Sequence, residues 1–149
     1  DSTFLCDFYI KHHQVDDRAT VVPLDQFEST MQPGSVDLAM NIHSFSECTL
    51  EAITWWLEQL VRLRVPYFLL IPNDPDDLLS READDSRKDF RPVMERLGFH
   101  QTATELVYQD STIVEFMPHM EAPESENAAD PSIRYRNDRI LLFRGPAAA

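Results

Sequence analysis

The chain has 149 residues, with 13 Lys and Arg against 26 Asp and Glu, so its formal charge is −13. Hydrophobic residues make up 43% and charged residues 26%, which is globular composition of a length that fits one domain. So acidic a chain lacks the clustered Lys and Arg that bind nucleic acid or an anionic membrane surface. No apolar run approaches the roughly 20 residues that span a bilayer. We therefore expect a single domain over residues 1–149 that binds neither nucleic acid nor membrane.

The sequence begins Asp1-Ser2-Thr3, with neither an initiator Met nor the basic segment of a signal peptide. We interpret it as a processed product or a fragment of a cytoplasmic protein. Cys6 and Cys48 lie in apolar stretches and are interpreted as buried free thiols. Because no Cys-x-x-Cys or His-x-x-x-His spacing occurs, we expect no zinc site.

The spacing of apolar residues predicts alternating helices and strands. In chain order these are a helix over 3–15, strands over 20–24 and 36–42, a helix over 49–63, a strand over 67–71, a charged loop over 74–89, a helix over 90–97, a strand over 99–108, an acidic loop over 110–132 and a strand over 139–144. The strand over 36–42 is apolar on both faces apart from Asp37 and Asn41, as buried parallel strands are. This order predicts an α/β fold with a mainly parallel sheet, whose last two strands pair antiparallel at the edge.

Polar residues follow three of these strands, and ligands of open α/β sheets bind beyond the carboxyl ends of the strands. The first strand is followed by Asp25, Gln26 and Phe27. A carboxylate there can accept a hydrogen bond from an amino or hydroxyl group, and the Phe27 ring can cover a flat ligand. A surface Asp in a strand-to-helix loop is the alternative.

The second strand ends at Asn41 and Ile42 and is followed by His43 and Ser44. An imidazole at this place can serve as a general base. Glu47 can orient it or act in its stead. The alternatives are a capping box formed by Ser44-x-x-Glu47, an N-cap at the nearby Thr, and a histidine bonded only to backbone.

The third strand is followed by Pro72, Asn73 and Asp74. The Asn73 amide can donate to and accept from a hydroxylated substrate, or it can form an Asx turn. The acidic residues from Asp74 onward lack the spacing and the Gly of a calcium-binding loop, so no metal site is expected.

These residues carry a resemblance to a known family. The stretch 36–47 (VDLAMNIHSFSE) is similar to the central motif of the sugar O-methyltransferase family, in which a strand ending in Asn precedes a Ser-Phe-x-Glu-like turn and a long helix. The stretch 135–143 (YRNDRILLF) resembles the closing strand of that family. More broadly, the order of elements over residues 3–144 resembles the later part of a class I S-adenosylmethionine-dependent methyltransferase domain.

The resemblance implies a function and a role for each candidate residue. The reaction would be methyl transfer from S-adenosylmethionine to a hydroxyl of a sugar or another small molecule. The cofactor would lie against Asp25, Gln26, Phe27, Asn41 and Ile42, with Asp25 at the adenine amino group. The base would be His43 or Glu47, and the acceptor would contact Ser44, Asn73 and Asp74. The loop over 110–132 would lie on the substrate side.

One departure from the family changes the expectation for this chain. The family grips its cofactor with a Gly-rich turn after the first strand, whereas the chain has only three glycines and no G-x-G pattern. We therefore expect it to correspond to the C-terminal two-thirds of the domain, without the first strand or strands, and to be inactive alone. A homodimer or an N-terminal segment would then complete the sheet. The alternative is a non-catalytic methyltransferase-like interaction or regulatory module; a hydrolase is disfavoured because no Gly-x-Ser-x-Gly or P-loop motif occurs.

Overall fold

The computed structural model describes residues 2–73, 78–108 and 137–147. The helices are α1 (Ser2–His12), α2 (Phe27–Thr30), α3 (Leu50–Arg62) and α4 (Arg91–Arg96), and the strands are β1 (Leu38–Ile42), β2 (Tyr67–Ile71), β3 (His100–Tyr108) and β4 (Asn137–Arg144). Two short 3₁₀ helices cover Leu24–Gln26 and Ser44–Glu47. None of the described helices is long and apolar enough to cross a membrane.

The four strands form one mixed sheet in the order β1-β2-β4-β3. Strands β1 and β2 are parallel, whereas β4 is antiparallel to both β2 and β3. The predicted α/β fold is confirmed, and so is the antiparallel pairing of the last two strands. Only one of the three described pairings, that of β1 with β2, is parallel, because the reversed strand β4 enters between β2 and β3. There Phe143 pairs with Phe68 and Leu141 pairs with Leu70, and all four side chains are buried.

The hydrophobic core lies on one face of this sheet, beneath α3 and α4. Ile53 and Leu57 of α3 are completely buried, as the predicted apolar stripe requires. They pack with Phe68 of β2 and with Phe90 and Met94 around the start of α4. Burying each such side chain contributes roughly 1.5–3 kcal/mol to the stability of the fold.

The opposite face of the sheet is apolar but open to solvent at β1. Leu38, Met40 and Ile42 alternate on this face and are 45%, 59% and 52% exposed. The prediction that β1 is buried on both faces is therefore wrong. Helix α1 is also uncovered, since none of its residues is buried. Its Cys6 is consequently exposed and Cys48 is only half-buried, which corrects the predicted burial of both free thiols.

The predicted strand over residues 20–24 does not form. Pro23 has no N–H to donate to a ladder, and the chain turns into the 3₁₀ helix Leu24–Gln26 directly after it. A strand also needs a neighbour, and no described strand lies at the outer edge of β1 to provide one. Asp25 and Gln26 therefore lie in a helical turn rather than at the end of a strand.

Candidate functional site

The carboxyl ends of β1 and β2 lie side by side because the two strands are parallel and in register, with Ile42 opposite Ile71. The His43 N–H donates to the Ile71 carbonyl oxygen at 2.7 Å. Just beyond β2, the Asn73 N–H donates to the hydroxyl of the buried Ser46 at 3.2 Å. The structure thus brings together the two strand ends that the sequence predicts to meet, and Ser46 is a linking residue that the sequence analysis missed.

Asn41 organises the turn that follows β1. Its side-chain amide donates to Ser44 Oγ at 2.6 Å, and its carbonyl oxygen accepts from the Phe45 N–H at 3.1 Å. Phe45 is buried in the core, whereas Ser44 is exposed. The Asn41 side chain therefore fixes how the turn leaves the strand. Ile42, by contrast, points to the open face of the sheet.

His43 occupies an unusual backbone conformation at this turn. Its φ is 64° and its ψ is −30°, a combination that places a side-chain-bearing residue outside the well-populated regions. The hydrogen bond to Ile71 on one side and the 3₁₀ helix on the other hold it there. His43 is thereby fixed at the junction of two strand ends, where the residue is half-buried and its Nε2 atom is buried.

The helix α3 begins at a cap of its own, which decides between the two capping alternatives. Thr49 Oγ1 accepts from the Ala52 N–H at 3.3 Å, whereas Ser44–Glu47 forms a separate 3₁₀ helix. Glu47 is exposed at the end of that short helix. Burial raises the pKa of the Cys48 thiol, and the neighbouring Glu47 carboxylate raises it further. Cys48 is therefore a neutral thiol at physiological pH.

The remaining predicted site residues belong to other segments of the chain, and some of them are undescribed. Asp25 and Gln26 are exposed, and the predicted contact of Asp25 with adenine stays a prediction. Phe27 is half-buried and packs against Trp55 and Trp56, at ring-centroid distances of 6.1 and 5.2 Å. Asp74 and the loop over 110–132 lie outside the described residues.

A cavity of about 370 Å³ lies between α2, β1 and α3. Its walls are mostly apolar and include Phe27, Met31, Ala39, Trp56 and Leu60. Three of the predicted site residues, Phe27, Asn41 and Ser44, also line it, so the cavity joins Phe27 to the turn that follows β1. The sequence patterns did not predict that these segments enclose a cavity.

Within the described ranges, no three His, Cys, Asp or Glu residues cluster closely enough to bind a metal ion. No protein-family model matches the chain, and no curated protein matches it either.

Proposed function

We propose that this chain is part of an S-adenosylmethionine-dependent O-methyltransferase domain that acts on a hydroxyl of a sugar or another small molecule. The observation that carries the proposal is the position of His43, held at the adjoining carboxyl ends of two parallel strands. Ligands of open α/β sheets bind at such ends. Strained backbone conformations also concentrate at functional sites, and His43 has one.

The strand order lends further support. Strands β1, β2 and β3 all run in the same direction, since β2 and β3 are both antiparallel to β4. Without the reversed β4 they follow each other in space as they do in sequence, like the second half of a doubly wound sheet. The reversed strand β4 carries the stretch RILLF, part of the segment that resembles the family's closing strand.

The described residues do not form a complete cofactor site. Gly34 lies before β1, Gly98 follows α4 and Gly145 follows β4, so none of the glycines lies in a strand-to-helix turn. The Asn41 side-chain amide already donates a hydrogen bond to Ser44 Oγ within the turn. We therefore assign no methyl-transfer step to this chain alone. We propose that another segment or chain supplies the Gly-rich turn that binds the cofactor.

In the completed domain, S-adenosylmethionine supplies an activated methyl group when bound, so the protein has only to bind and orient the reactants and accept a proton. The contribution of this chain would be to accept the proton of the acceptor hydroxyl at His43. The turn at Asn73, tied to the His43 turn through Ser46, would keep the acceptor oriented. Glu47 is exposed and would act only as a secondary base.

A second candidate is a non-catalytic interaction or regulatory module with this fold. The exposed apolar residues of β1 and α1 favour it, because uncovered apolar surface of this kind is typical of interaction sites. The absence of a Gly-rich turn from the sequence favours it as well.

Calorimetric titration of S-adenosylhomocysteine into this chain, and into a form of the protein extended at its N-terminus, separates the two candidates. Binding by the extended form alone supports the methyltransferase proposal. In that form, His43→Ala should then lower the rate of methyl transfer about 100-fold or more without weakening cofactor binding. Binding by neither form overturns the proposal in favour of the module. Binding by the unextended chain would overturn the claim that its cofactor site is incomplete.

A further inference from the structure

The outer edge of β1 offers unpaired backbone groups. Successive residues of a strand direct their N–H and C=O groups to alternate edges. The bond from the His43 N–H to Ile71 shows that the odd-numbered residues of β1 face β2. The N–H and C=O groups of Leu38, Met40 and Ile42 therefore point away from β2, to the side where no described strand pairs with β1.

The cavity lies directly beside this edge. Ala39 and Met40 of β1 line it together with Phe27 and Trp56, which stand on α2 and α3. A strand added at the edge would direct every second side chain toward this cavity and the others toward the open face of the sheet. On that open face the added side chains would cover Met40, which is 59% exposed.

We propose that the outer edge of β1 and the adjoining cavity bind an extended apolar segment of a partner by strand addition. In this mode of recognition the main-chain hydrogen bonds give affinity, and pockets for alternate side chains give specificity. The open edge and the cavity are adjacent parts of one surface, and a single strand would occupy both. Phe27, Asn41 and Ser44 line the same cavity, so a strand bound here would fill the space that the proposed methyl transfer assigns to cofactor and acceptor. The inference therefore rests on the second candidate function, the interaction module.

The charge of the chain indicates the chemistry of the bound segment. Each copy carries −13, so a second copy would bring like charge to the interface. Asp37 directly precedes β1 and Glu47 follows it, and both are exposed. Arg62 partly offsets them, since its guanidinium lies 6.0 Å from the centre of the Phe27 ring and donates to the Met31 carbonyl oxygen at 3.3 Å. We therefore assign the site to an apolar segment flanked by Lys or Arg, rather than to a second copy of this chain.

The test uses a fluorescein-labelled peptide, Lys-Val-Leu-Val-Leu-Val-Lys, and measures fluorescence polarisation as the chain is titrated. Two matched peptides serve as controls, one with Glu in place of both Lys and one with N-methyl groups on alternate residues. The Lys-flanked peptide should bind. Methylation of the amides that face β1 should weaken binding about tenfold or more, since it removes edge hydrogen bonds. The Glu-flanked peptide should bind more weakly than the Lys-flanked one.

Variants of the edge and cavity complete the test. Met40→Pro removes an outward N–H without touching the ladder to β2, and Met40→Ala is its control because it keeps that N–H. Ala39→Leu fills part of the cavity. We expect Met40→Pro and Ala39→Leu to weaken peptide binding and Met40→Ala to change it little. Circular dichroism verifies folding of each variant, and the N-methyl peptide tests the edge on the unaltered chain.

Three results would overturn the proposal. The first is no binding of the Lys-flanked peptide. The second is equal binding of the N-methylated peptide, which would indicate nonspecific apolar adhesion. The third is a dimer in sedimentation velocity that Met40→Pro converts to a monomer, since the occupant of the edge would then be a second copy.

Discussion

The side-chain amide of Asn41 donates to the Ser44 hydroxyl at 2.6 Å. The same side chain accepts from the backbone N–H of Phe45 at 3.1 Å, so one residue closes both sides of the turn around His43. A residue that the resemblance assigns to cofactor binding thus has a structural role of its own. Mutations at this position can separate the two roles.

We predict that Asn41→Ala lowers the free energy of unfolding by about 1–3 kcal/mol, because it leaves the Phe45 N–H without its acceptor. Asn41→Asp should stay close to the unaltered chain, since its carboxylate accepts from both the Phe45 N–H and the Ser44 hydroxyl. Urea denaturation of both variants measures the difference. Equal destabilisation by the two variants would contradict the structural role assigned to the Asn41 oxygen.

The Thr49 cap provides a second prediction. Thr49→Ala removes the acceptor of the Ala52 N–H and should lower the free energy of unfolding by about 1 kcal/mol. Thr49→Ser keeps the hydroxyl and should lose far less. Glu47→Ala should leave α3 unaffected, because Glu47 ends the separate 3₁₀ helix. If Glu47→Ala lowered the unfolding midpoint as much as Thr49→Ala does, the capping-box alternative would be restored.

Elements with strong apolar patterns could be predicted from the sequence. The strand over 67–71 has the bounds of β2, and the helix over 49–63 matches α3 within a residue. In both, the side chains that set the pattern also fill the core. The same pattern failed for residues 20–24, because the apolar run there contains Pro23 and has no neighbouring strand to pair with.

The candidate site could be predicted in part for the same reason. Parallel strands end at one side of a sheet, so the approach of His43 to the Asn73 turn followed from the two strand patterns. The link through Ser46 and the cavity beside Ala39 could not be predicted, since both depend on how separate elements pack. The exposure of Phe4 and Met40 could not be predicted either, because the sequence of an apolar element does not show whether another element covers it.

The backbone of His43 provides a third prediction. At φ 64° and ψ −30° a residue with a side chain is strained, whereas glycine adopts positive φ freely. His43→Gly should therefore unfold with a free energy about 1 kcal/mol higher than that of His43→Ala, the matched variant that also lacks the imidazole. Urea denaturation at neutral pH makes the comparison. Equal stability of the two variants would show that this turn stores no strain.

Glu82 ties the segment before α4 to the start of α3, and this tie should depend on pH. Its carboxylate accepts from the Ser80 hydroxyl at 2.7 Å and from the Leu50 N–H at 2.9 Å, and Lys88 lies 3.3 Å away. The hydrogen bond from Ser80, followed by that from Leu50, lowers the pKa of Glu82 below its usual value. A carboxyl group whose pKa is lower in the folded state stabilises the fold above its unfolded pKa. That stabilisation is lost as the pH falls through the folded pKa.

We therefore predict that Glu82→Gln lowers the thermal midpoint at neutral pH, and that the gap between the variant and the unaltered chain narrows on acidification from about pH 6 to pH 3. The gap, rather than either midpoint alone, is the informative quantity, because the other carboxylates titrate over the same range in both proteins. Glu58→Gln, at an exposed position on α3, is the matched control for the loss of one carboxylate, and it should lower the midpoint at neutral pH far less than Glu82→Gln does. A Glu82→Gln gap that stayed constant or widened as the pH fell would contradict the lowered pKa and the role of Glu82 in holding the start of α3.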